Sequence, residues 1–228
     1  MSTTPELIEA LSARLQPVVP ARPPLARASA WLMACIALVA LAAWMSGAWP
    51  LMLSRLATAR FALEMAATLA TGIAGIAAAF MLSVPDRSRA WVFLPLPFLA
   101  LWLGASTYGC YESWLVTGAN GLKLGRSADC FTFIIGWSVP LAAALWLALR
   151  RMAAGLDPLK VTATGGLGTA ALAAAALQFW HPFDVTVADL ATHAVAVAIV
   201  CAAVVAAGFR GLSFFPPATA VGEGGVAR

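Results

Sequence analysis

Apolar residues occupy the chain in long unbroken runs, and the polar positions cluster between them. Six runs can each be written as a membrane-crossing helix, which needs about 20 residues for a hydrocarbon core of about 30 Å. They are approximately Ala30–Met45, Phe61–Leu82, Ala90–Tyr108, Phe131–Leu149, Val161–Trp180 and Leu190–Gly208. The first is the shortest, and Ser29 to Trp49 would extend it into the interface. The runs are continuously apolar and rich in Ala and Leu, whereas strands of a membrane barrel alternate over about 10 residues. The pattern therefore predicts an all-α fold: a polytopic bundle of six transmembrane helices over residues 29–210.

A different pattern precedes the first run. In TPELIEALSARL, Thr4 can cap a helix with Pro5 at its first position and Glu6 in the first turn, where the helix dipole favours negative charge. Leu7, Ile8, Leu11 and Leu15 then share one arc of roughly 100° at 3.6 residues per turn, and Pro17 stops the helix. A helix of about 12 residues is marginal alone in water, so this stripe is expected to order on a partner surface. The prolines of PVVPARPP make a semi-rigid spacer to the membrane. A helix lying on lipid usually carries a Lys/Arg-rich polar face, but this one has Glu6, Glu9 and a single Arg14. Residues 1–28 thus read as a partner-binding segment, and the Pro/Gly/Ala-rich residues 211–228 as a flexible tail.

Composition narrows the class further. With 62% hydrophobic and 11% charged residues among 228, and a mean hydropathy of +0.87, the chain lacks the charge of a soluble domain, where about a quarter of residues are charged. Six spans put both termini on one side. Ten of the 14 basic residues then fall on that side, and the excess of Lys and Arg in cytoplasmic segments predicts a multi-pass inner-membrane protein with both termini in the cytoplasm. The net charge of +4 reflects this asymmetry and gives no argument for nucleic-acid binding. No cleaved signal peptide is expected, because about 28 residues precede the first run.

Polar residues at membrane depth are the next candidates. Glu64 lies early in the second run, four residues after Arg60, which could satisfy it. Pro95 and Pro97 are expected to kink the third run. Thr71 to Gly75 and Gly165 to Thr169 are small-residue patterns that permit close helix approach. His181, in the WHPFD loop, and His193 read individually as structural residues, with Trp180 as an interfacial anchor. No metal-hydrolase constellation, phosphate-binding glycine loop or acidic pair in a shared span appears, so neither an enzyme nor a bound cofactor is expected.

Of Cys35, Cys110, Cys130 and Cys201, the topology places Cys110 and Cys130 near the outer face. Three readings stand: a disulfide closing a loop of about twenty residues on an oxidising face, a soft-metal site with His181 as third ligand, or ordinary small helix residues.

The stretch from CFTFIIGWSVPLAAALWLALRR through AAGLDPLKVTATGGLGTAALAAAALQFWHPFD to FRGL resembles the NrsF-type family of six-span inner-membrane anti-sigma factors. The resemblance rests on Cys130, Pro140, Leu149-Arg150-Arg151, Pro158, Gly165-Gly166-Leu167 and His181, and runs from the ELIEAL segment to about Leu212. It implies that the N-terminal helix, through Leu7, Ile8, Leu11 and Leu15, sequesters an extracytoplasmic-function sigma factor. It also implies that an outer-face cysteine pair perceives metal or oxidant stress. Cys130 matches one member of that pair; where the second is expected, the chain has His181-Pro182 in place of His-Cys. Cys110 is then the candidate redox partner of Cys130, and His181 a candidate metal ligand beside them. The alternative is a small-solute transporter or transporter subunit, motivated by Glu64 and the paired prolines.

Overall fold

A computed structural model describes residues 3–13, 22–118, 127–150, 157–181 and 186–212. Those residues form eight α-helices and no strand: α1 (Thr4–Ser12), α2 (Pro24–Met45), α3 (Trp49–Leu56), α4 (Ala59–Leu82), α5 (Leu96–Thr117), α6 (Ser127–Arg150), α7 (Pro158–Leu177) and α8 (Val187–Leu212). A 3₁₀ turn, Arg89–Phe93, leads into α5.

Local chemistry explains the boundaries. α1 begins one residue earlier than expected: Thr3 is the N-cap, and its backbone N–H donates to Glu6 Oε2 at 2.8 Å, the reverse half of a capping box. Leu15 and Pro17 lie outside the described residues. α2 ends where Gly47 adopts φ +66°, a left-handed conformation that costs glycine little, and Ala48 N–H bonds back to the Ala43 carbonyl at 2.9 Å. Trp49 therefore starts the separate helix α3 instead of extending α2. Pro95 and Pro97 do not kink a helix interior. They occupy the N-cap and first turn of α5, where a missing N–H leaves no intrahelical bond unmade.

α4 and α7 form the centre. Fourteen of the 24 residues of α4 and fourteen of the 20 of α7 are buried. Glycine lets their backbones touch: a Cβ on Gly75 would lie 2.8 Å from Gly168 Cα, and one on Gly168 would lie 2.8 Å from Ile76 N. Around this pair stand α2, α5, α6 and α8, whose outward positions are apolar and open, such as Leu41, Trp44, Val139 and Val195. Water would penalise such a surface, and hydrocarbon does not. Five segments are long and apolar enough to cross a membrane: Pro24–Met45, Ala59–Leu82, Arg89–Val116, Ala128–Leu149 and Val187–Gly208.

The bundle has two distinct ends. At one, Ala28, Leu32, Phe80, Leu145, Leu149 and Val161 pack together. There Arg27 donates to the Ala148 carbonyl at 3.1 Å and lies 5.8 Å from the centroid of the Phe80 ring. At the other, Cys130, Ile134, Ala173, Leu177 and Ala196 pack beside an aromatic cluster of Phe133, Trp137, Phe179 and Trp180.

Candidate functional site

Chemistry-bearing side chains converge at the Cys130 end. Cys130 stands in the first turn of α6 and is 2% exposed, His181 follows α7, and Asp189 opens α8. Three helix termini thus deliver a thiol, an imidazole and a carboxylate, whose ligand atoms all lie within 4.8 Å of one another. Asp189 also caps its own helix, accepting from Thr186 N–H at 3.1 Å and Thr186 Oγ1 at 2.8 Å. That pairing fixes the carboxylate in place. The His181 backbone carbonyl accepts from Arg55, whose guanidinium also sits 4.1 Å from the Phe61 ring centroid, so α3 and α4 brace the loop that carries the imidazole.

His193 lies one turn beyond Asp189 on the same face of α8 and is close enough to His181 and Asp189 to interact electrostatically with both. It is 8% exposed, and its Nε2 has no hydrogen-bond partner among the described residues.

Cys110 takes a different direction. It is buried on α5, and its thiol donates to the Thr186 carbonyl at 3.4 Å. It is outside the convergent group, although the Thr186–Asp189 cap lies between the two sites. No disulfide joins any two of the four cysteines among the described residues. The structure brings Cys130, His181 and Asp189 together and points the Cys110 thiol at the Thr186 carbonyl. Neither Asp189 nor His193 stood out in sequence as a ligand; the available signal was their i, i+4 spacing at the start of a span.

Glu64 is buried among the helices. It accepts from Ser106 Oγ of α5 at 2.8 Å, while Arg60 Nε pairs with Glu112 at 3.3 Å. An apolar recess of about 450 Å³ between α2, α3, α4 and α7 is lined almost entirely by apolar residues such as Ile36, Met52, Met65 and Leu172.

α1 is a short helix exposed along its described length. Leu7, Ile8 and Leu11 are 51%, 62% and 58% exposed, and every residue from Thr3 to Ala13 is exposed. None packs on the bundle.

No curated protein and no solved structure matches the chain. The sequence model of the family described as NrsF, negative regulator of sigma F, matches residues 11–214. That match spans the five helices long and apolar enough to cross a membrane and the convergent site, and begins at Leu11 within α1. The chain belongs to the NrsF family of negative regulators of a sigma factor.

Proposed function

We propose that this regulator is an inner-membrane anti-sigma factor: α1 and the spacer after it hold an extracytoplasmic-function sigma factor at the cytoplasmic face, and an envelope metal or oxidant signal at the Cys130 end releases it. The observation that carries this reading is the exposure of Leu7, Ile8 and Leu11 on a capped helix that buries none of its residues against the other described residues. In the sequence Leu15 follows Leu11 by four residues. An amphipathic helix of this kind seats its apolar side in a groove of a partner and orders as it binds. Sequestration of this kind needs no catalytic centre.

Counting α7 as a sixth span returns both termini to one side, and the basic residues make that side cytoplasmic. Its 20 residues reach about 30 Å at 1.5 Å per residue, enough for the hydrocarbon core. Its glycines and threonines face protein, so it does not need the apolarity of its neighbours. α6 then joins the two faces, from Cys130 outside to the Ala148 carbonyl inside, where Arg27 anchors the helix that carries the sigma-binding segment. A change in α6 at the outer face has a direct mechanical route to the spacer.

The test is co-purification of the tagged full-length protein with the host's extracytoplasmic-function sigma factors from detergent, comparing wild type with L7D/L11D. Wild type retains one sigma factor. The double substitution removes two apolar anchors worth about 1.5–3 kcal/mol each, so affinity falls by more than about 100-fold. Failure of wild type to retain any of these sigma factors overturns the proposal.

A further inference from the structure

We propose that Cys130, His181, Asp189 and His193 together form a site for a borderline divalent transition ion of the zinc class, with α8 supplying half of the ligands. The first three already place one donor atom each within 4.8 Å of the others. Around a tetrahedral zinc ion, with Zn–S about 2.3 Å and Zn–N about 2.0–2.1 Å, donor atoms sit about 3.5 Å apart, so small side-chain adjustments bring these three donors onto one ion. Second, His193 is more than nine-tenths buried beside this group and presents an Nε2 with no hydrogen-bond partner among the described residues. A buried imidazole nitrogen left unsatisfied calls for an explanation, and an ion supplies one. Third, Thr186 holds the Asp189 carboxylate by two hydrogen bonds, the kind of outer support that ligating carboxylates have.

The donor set decides the ion class. One thiolate, one carboxylate and two imidazoles suit Zn²⁺, Co²⁺ or Ni²⁺, and lack the paired thiolates that select softer ions such as Cu⁺.

The regulatory meaning of such an ion rests on the anti-sigma reading above, but its binding does not, and the test uses the full-length protein purified without any sigma factor. Metal-free protein in detergent is titrated with Co²⁺ and with Zn²⁺ against a chromophoric chelator. The expected result is one ion per chain, with a thiolate-to-cobalt charge-transfer band that disappears in Cys130→Ser. Asp189→Asn and His193→Gln each weaken Zn²⁺ binding by at least about tenfold, and Cys110→Ser binds as wild type does. Helical circular dichroism and a monodisperse elution profile establish that each variant is folded. Absence of stoichiometric binding by wild type overturns the proposal, as does unchanged binding by a folded D189N/H193Q variant or loss of binding in C110S.

Discussion

Glu64 shows how the surroundings of a single side chain become visible only in the packed bundle. A carboxylate in an apolar run is a candidate for transport or proton transfer, and here it is 3% exposed and accepts from Ser106 on the neighbouring helix. Removing that donor leaves a buried acceptor short of a partner, which costs about 1–3 kcal/mol. Ser106→Ala should therefore lower the midpoint of thermal unfolding in detergent, and an unchanged midpoint would show that the bond contributes nothing. Residue-scale electrostatics also act at the start of α7. Asp157 accepts from Lys160 Nζ at 2.7 Å, and this contact holds its carboxyl below the ordinary carboxylate value. A depressed folded pKa stabilises the turn above the unfolded value of about 3.9, and that contribution is lost as pH falls through the lower folded value. Amide exchange at Val161 should accelerate over that acid range in wild type, and should show no such step in Asp157→Asn. The sequence offered Arg60 as the partner of Glu64 because the two are four apart. The choice of Ser106, 42 residues away, belongs to packing between helices.

At the scale of elements, the long runs were legible because hydrocarbon thickness imposes a length and a composition that few other structures share. α3 was not legible, since eight residues carry little periodic signal and only the glycine at 47 marks the break before it. The prolines at 95 and 97 were placed correctly and misassigned in consequence, because a proline pair fits a helix start as well as a helix kink. The glycine patterns correctly pointed to close approach. Gly168→Leu would drive a side chain into the α4 backbone near Ile76, so it should destabilise the bundle by about 1–3 kcal/mol or more and increase susceptibility to protease. α6 carries a further expectation. Arg27→Ala removes the tie between α2 and the Ala148 carbonyl, so signalling in response to an envelope stimulus should weaken while co-purification with the sigma factor is retained. Loss of sigma binding instead would place Arg27 in the holding contact.

For the whole molecule, the number of crossings is the decisive quantity: five place the termini on opposite sides, and six on the same side. Terminal fusions to green fluorescent protein and to alkaline phosphatase should give fluorescence and no phosphatase activity at both ends. Phosphatase activity at one end would remove the inside–outside assignment on which the signalling route depends. α7 sits at the centre of this question because it is the most enclosed helix, and enclosure lets it dispense with the apolarity by which spans are recognised. The sequence alone determined that the chain is helical, carries helices apolar enough for a bilayer and begins with a short capped helix, since these follow from periodicity, composition and local capping. Its ordered motifs also pointed to the sigma-regulator family. Only the tertiary structure decided which helices are central, which partner Glu64 takes, and that Cys130 meets His181 and Asp189 while Cys110 turns to Thr186. Local pattern records what each helix can do, whereas the meeting of three helix ends depends on how the helices pack in space.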